Sequence, residues 1–132
     1  MFFKKLKTYN GFALRSFYYQ IIFRKKKANQ VLIDALAERE FSITETAGLL
    51  INISENYYSQ KDYLNAIIYF EKLMGLVKHE KITFDKYFIK MIKCYLYLNN
   101  KEKAIELYDD LVSRQRYSKA FKKVEKIKSL LE

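Results

Sequence analysis

Proline and tryptophan are absent from the 132 residues, and glycine occurs three times. A β-sandwich or small barrel of this length needs many tight turns, and the residues that make such turns are nearly missing. That excludes a turn-rich β fold and favours long helices joined by short polar connections. Cysteine and histidine occur once each, as Cys94 and His79. No disulfide can close within the chain, and the two are too far apart along it to build a metal site together. Both scarcities suit a reducing compartment. Long apolar runs are lacking too. The longest candidate, residues 17–23, is interrupted by Gln20, whereas a spanning helix needs about 20 apolar residues and a signal peptide an unbroken apolar segment before small residues. The expectation is a cytoplasmic protein, with peripheral membrane contact left open.

What is present is apolar and aromatic. Half of the residues are hydrophobic and 17% are aromatic, including twelve Tyr and ten Phe, far more than a disordered chain carries. Length and composition suit one domain with a real core. The net charge of +10 is spread unevenly. Residues 1–33 hold eight Lys/Arg and no acid, residues 34–113 ten basic and thirteen acidic residues, and residues 114–132 seven basic and two acidic. Both ends are cationic, and such ends attract nucleic acid, acidic lipid or an acidic protein face.

Two segments, Tyr57 to Leu73 and Tyr95 to Leu111, align at an offset of 38 residues. In each, a Tyr precedes a polar turn, followed by an Ala (Ala66, Ala104), an aromatic four residues on (Phe70, Tyr108) and a Leu three beyond. This pattern describes a helical hairpin. The Ala sits where two helices approach closely, and the aromatic lies on the same face one turn later. Preceding stripes, Leu50, Ile53 and Tyr57, then Phe88, Met91 or Ile92 and Tyr95, supply the first helix of each pair. Such a hairpin buries its faces only by stacking on neighbours. Counting back another 38 finds Phe12, Ser16, Tyr19, Ala28 and Leu32 in the same register. The expected turn there, residues 23–27, has no Gly, Asn or Asp. A degenerate third hairpin and one long basic helix from Phe12 to Glu38 both remain open. Ser42 to Glu45 reads as a capping box, Thr83 and Asn100 as N-caps, and Ser118 as the cap of a final helix with Phe121, Val124, Ile127 and Leu131 at helical spacing.

The hairpin pattern resembles the tetratricopeptide repeat. Leu50, Ile53, Ser54, Tyr57, Ala66 and Phe70 fall on that family's positions in one repeat, and Phe88, Met91, Tyr95, Ala104 and Tyr108 in the next. The departures are a period of 38 against about 34 in the family, a missing closing Pro, and Leu73 and Leu111 in place of a small residue. The four extra residues are assigned to the link around Lys78 to Lys81. The resemblance implies an all-α fold of stacked antiparallel helical hairpins, a tetratricopeptide-like superhelix with a C-terminal capping helix. The expected layout is a basic aromatic segment at 1–11 and one domain at 12–132, with clear repeats at about 45–114 and the capping helix at 118–131. The resemblance further implies a non-enzymatic module that holds a protein or peptide partner in a concave groove.

No catalytic set stands out. His79 reads as a solvated linker residue and Cys94 as a buried, inert thiol. Asp109 and Asp110 diverge around a helix and no further ligand joins them. No metal or cofactor is expected, and the aromatics read as core before base-stacking platforms. Lys86, Lys90 and Lys93 share a helix face. The resemblance assigns that face to the groove, with Asn52 of the preceding repeat projecting into it and Tyr58 and Tyr97 beside it. The family's carboxylate clamp uses residues at the positions of Asn52, Lys86 and Lys90, while its other two positions fall on Ala13 and Phe17, which cannot serve. A solvated lysine face is the competing reading. Lys4, Lys5, Lys7, Arg15, Arg24, Lys25, Lys26 and Lys27 interleave with aromatic and apolar residues, a pattern shared by an interfacial membrane anchor, a nucleic-acid arm and a solvated end helix. The partner is expected to be a protein or peptide, an acidic one included, ahead of nucleic acid or anionic membrane; oligomeric state is left open.

Overall fold

The computed structural model describes residues 9–21 and 25–132, and within them every side chain but those of residues 15, 18–21, 25 and 26. Among these residues the chain is all-helical, without a strand. The order is α1 (Tyr9–Ile21), α2 (Lys25–Glu38), α3 (Ile43–Ser59), α4 (Tyr63–Val77), α5 (Tyr87–Tyr97) and α6 (Lys101–Ser113), then a 3-10 turn (Arg114–Arg116) and a 3-10 helix (Lys119–Leu131). Two compact units divide the chain, Met1–Leu76 and Val77–Glu132.

The turns between paired helices are built alike. After α3 the amide of Asp62 donates to the Tyr57 carbonyl (3.0 Å) and that of Lys61 to Tyr58 (2.9 Å). After α5 the amide of Asn100 donates to Tyr95 (2.8 Å) and that of Asn99 to Leu96 (3.1 Å). Each is a Schellman stop, which satisfies the carbonyls orphaned at a helix C-terminus. The residue that closes each stop holds a left-handed backbone, Lys61 at φ 62° and Asn99 at φ 59°. The next residue starts the following helix: Asp62 Oδ1 accepts from the Asn65 amide (3.3 Å), and Asn100 Oδ1 from the Lys103 amide (3.2 Å). One short segment thus ends one helix and begins its neighbour.

In the first unit α1 packs on α2 and α2 on α3. Residues 12–38 therefore form two helices that pack together, which decides against one long helix; the connection at 22–24 lies outside the described residues. Phe12, Val31 and Ala35 form one buried cluster, and Leu32, Leu49 and Ile53 another that Tyr9, Tyr57 and Tyr69 flank. Phe41, in the α2–α3 link, meets Tyr9 and Phe12 edge-on, with ring centroids 6.4 and 6.2 Å apart. Tyr57 of α3 stacks on Tyr69 of α4 at 5.9 Å. Gly48 lies where α3 passes α1, and a Cβ there would run into the Tyr9 hydroxyl. Residues 9–11 lie in α1, so the last three residues of the segment read as preceding the domain belong to this helix. The Ser42 capping box forms as expected, with Ser42 Oγ accepting from the Glu45 amide (3.1 Å) and Glu45 Oε1 from the Ser42 amide (3.2 Å).

In the second unit α5 packs on α6, and the 3-10 helix lies against both. Phe121 is the aromatic centre, with Phe84, Phe88 and Tyr117 at centroid distances of 5.7, 6.0 and 5.8 Å. Thr83 does not cap α5. That helix starts at Tyr87, after Lys86, with no side-chain cap. Ser118 likewise makes no side-chain cap bond, and the final helix is 3-10. Of its buried residues, Phe121, Val124 and Ile127 recur every third residue, the spacing that lines up on a helix of about three residues per turn, and Leu131 follows four residues on.

Several sets of positions aligned at an offset of 38 are buried alike. Ala28, Ala66 and Ala104 are fully buried, as are Ala35, Leu73 and Leu111. Phe12, Leu50 and Phe88 are also buried, as are Leu32, Phe70 and Tyr108.

Candidate functional site

The sequence points to two sets of surface residues, a groove and a cationic N-terminal segment, and the groove residues fall in two units, Asn52 and Tyr58 in the first and Lys86, Lys90, Lys93 and Tyr97 in the second. In the first unit Asn52 of α3 lines an open cleft of about 570 Å³ with Asn10, Ala13, Leu14, Ser16 and Phe17 of α1. Ala13, Phe17 and Asn52 are the positions that the family resemblance assigns to a groove. Ala13 and Phe17 lack the polar groups of a carboxylate clamp. Instead they make an apolar wall, on which Phe17 is 58% and Leu14 49% exposed. Helix geometry brings them there: residues 10, 13, 14 and 17 follow the spacing of one helix face. Large apolar side chains this exposed, beside an amide such as Asn52, can anchor an apolar group and hydrogen-bond a backbone. Tyr58, on the same helix as Asn52, instead packs edge-on against Tyr63 at 5.6 Å and is not among the residues lining this cleft.

In the second unit Lys86 lies immediately before α5, in helical backbone, and Lys90 and Lys93 lie on α5. The Lys90 amide donates to the Lys86 carbonyl at 3.3 Å, so the expected helical spacing holds. Lys86 is exposed and the other two are partly buried. Tyr97, the last residue of α5, is 56% exposed. Of the N-terminal cations, Lys4, Lys5, Lys7 and Arg24 lie outside the described residues. The same holds for the side chains of Arg15, Lys25 and Lys26, while Lys27 is exposed on α2.

Cys94 is fully buried in α5, and burial pushes its thiol from an ordinary 9.0 up to about 12. Among the described residues no three His, Cys, Asp or Glu side chains gather as metal ligands, and no helix is long and apolar enough to cross a membrane.

Two polar features escaped the sequence reading. Asn29 and Asn56 are both buried, and Asn56 Nδ2 donates to Asn29 Oδ1 at 3.0 Å, tying α2 to α3. Asn29 Nδ2 is left without a hydrogen-bond partner. Asn56 and Cys94 are 38 residues apart and equally inward, so one repeat position is polar in one hairpin and apolar in the next.

The other feature is Arg114, only 6% exposed. Its Nη2 donates to the Lys78 carbonyl (3.1 Å), and its Nη1 to the Glu80 carbonyl (3.2 Å) and the Tyr117 hydroxyl (3.0 Å). Its Nε meets Asp110 Oδ2 at 3.1 Å, and the Tyr117 hydroxyl passes the link on to the Ile82 carbonyl at 3.2 Å. Three carbonyls of the 78–82 connection are thus held by one guanidinium and its phenol. Burial alone would make Arg114 easier to deprotonate. The hydrogen bonds to Tyr117 and Asp110 and the Asp110 charge outweigh it and hold the side chain more basic than usual.

No protein-family model matches the chain, and no curated protein matches it in sequence.

Proposed function

We propose that the protein is a non-enzymatic interaction module of the tetratricopeptide kind, which holds a partner peptide on its helical surface. The observation that carries this reading is the α1/α3 cleft, where Leu14 and Phe17 stand half-exposed beside Asn52. Repetition supports the family part. Burial recurs at an offset of 38, and two Schellman stops recur at that same offset. Charge supports the choice of partner: residues 1–33, which include α1, hold eight cations and no acid. An acidic peptide with apolar anchors complements such a charge balance. The lysines of α5 offer the second unit's own cationic face.

Peptides selected by phage display against the intact chain should be acidic and carry apolar anchors. Leu14→Ser with Phe17→Ser should weaken the selected peptide at least about tenfold and leave the melting temperature nearly unchanged, since both side chains are half in water already. Equal binding by that double variant contradicts the reading. Lys86→Glu with Lys90→Glu tests the second unit's face against Lys122→Glu with Lys126→Glu, a control of the same charge change. Equal losses would mean general electrostatics. Binding that instead goes to nucleic acid and falls by orders of magnitude across moderate salt would point to phosphate contacts.

A further inference from the structure

In the second unit a polar cleft of about 510 Å³ opens between the 78–81 connection and the end of α6. Its lining includes the buried Arg114 together with Lys78, His79, Lys81 and Arg116. The last four are exposed, and none of their side chains has a hydrogen bond or ion pair to another described residue. Glu80 and Asp110 also line the cleft. Asp110 is engaged by Arg114. Four permanent cations against two carboxylates leave an excess of two positive charges within one small volume. Unpaired like charges repel, so their convergence costs stability unless an anion visits.

Arg114 adds a buried donor. Its four hydrogen bonds to Asp110, Glu80, Tyr117 and Lys78 use four N–H groups, and a guanidinium carries five. The fifth, on Nη2, has no partner among the described residues. Because the other four donors fix the plane of the guanidinium, this one is held in place without a loss of side-chain freedom on binding.

We propose that this cleft binds a phosphate group of a small phosphorylated ligand. A phosphate monoester carries a charge of about −1.5 to −2 near neutral pH and three strong acceptor oxygens. That matches an excess of two cations better than a single carboxylate does. Lys81, Arg116 and Arg114 of the lining supply the cationic donors for the anion. The volume lies within the range of about 300–1,000 Å³ usual for small-ligand sites. The Glu80 carboxylate opposes the anion and limits its affinity.

The test is isothermal titration of the intact protein with pyrophosphate at fixed ionic strength, with acetate as the comparison anion. Saturable one-site binding of pyrophosphate, and none of acetate, is expected. Lys81→Gln with Arg116→Gln should reduce affinity at least about tenfold, Lys122→Gln with Lys126→Gln should leave it unchanged, and Glu80→Gln should tighten it. Vesicles with and without phosphatidylinositol phosphate separate a lipid headgroup from a free phosphate as the source, and either supports the site. No saturable binding of pyrophosphate or of such vesicles overturns the proposal. So does binding lost equally in both double variants, or binding confined to polynucleotide.

Discussion

Lys61 and Asn99 hold a backbone that L-residues adopt at a cost, because Cβ crowds the following carbonyl. Lys61 has no compensating short polar side chain, whereas Asn tolerates this region better than most residues. Lys61→Gly should therefore raise stability by about 1 kcal/mol, and Asn99→Gly by less, as read from urea unfolding. A destabilised Lys61→Gly would mean that the lysine side chain contributes more than its backbone costs. Cys94 makes a second prediction. Its folded thiol keeps its proton from the ordinary 9.0 up to about 12, so between those values the folded state binds more protons than the unfolded one. Any stability tied to Cys94 is complete below pH 9.0, falls as pH rises, and is gone above about 12. Near neutral pH the folded thiolate is rarer than the unfolded one by roughly a thousandfold, and alkylation should be slower by at least that ratio. Fast alkylation of native protein contradicts the burial. Arg114→Met should cost about 3 kcal/mol, because three carbonyl and hydroxyl partners lose a charged donor. An unchanged urea midpoint would show that the 78–82 connection is held by other means.

Helix pairs depend on how closely they approach, and the small residues Ala66 and Ala104 are fully buried. Ala66→Leu or Ala104→Leu should cost about 1–3 kcal/mol by overpacking, and thermal melts matching the native protein would contradict the hairpin packing. Tyr9 extends α1 into the first unit's core, beside Leu32, Leu49 and Ile53. Most of this was legible in the sequence. The 38-residue offset found the buried alanines, the aromatic partners and both paired-helix turns, because core spacing leaves a periodic mark. The first helix pair was half legible: Phe12, Ser16, Ala28 and Leu32 stood in register, but the link between them carries none of the usual turn residues. Missed features lack periodicity. Asn29 and Asn56 look like solvated helix residues until a partner 27 positions away is seen. Arg114 looks like one cation in a basic tail, although it anchors carbonyls 34 and 36 positions earlier. The 3-10 winding of the last helix was hidden because Phe121, Val124 and Ile127 suit either helix type.

The whole chain concentrates positive charge at its ends around a near-neutral middle, and its two clefts differ in character. One is apolar, in the first unit, with Phe17 and Leu14; the other is ionic, in the second, with Arg114. Their occupants should differ in how strongly they respond to salt. An acidic peptide keeps the part of its affinity anchored on Phe17 and Leu14 as ionic strength rises and loses the part owed to charge, while a phosphate held by exposed cations loses most of its affinity. The cleft on α1 and α3 carries the functional reading, and the most direct test is a ¹⁵N-resolved NMR titration of the intact protein with a display-selected acidic peptide. The account predicts saturable shifts concentrated at Ala13, Leu14, Phe17 and Asn52. Shifts that avoid these residues, or that never saturate, would contradict it.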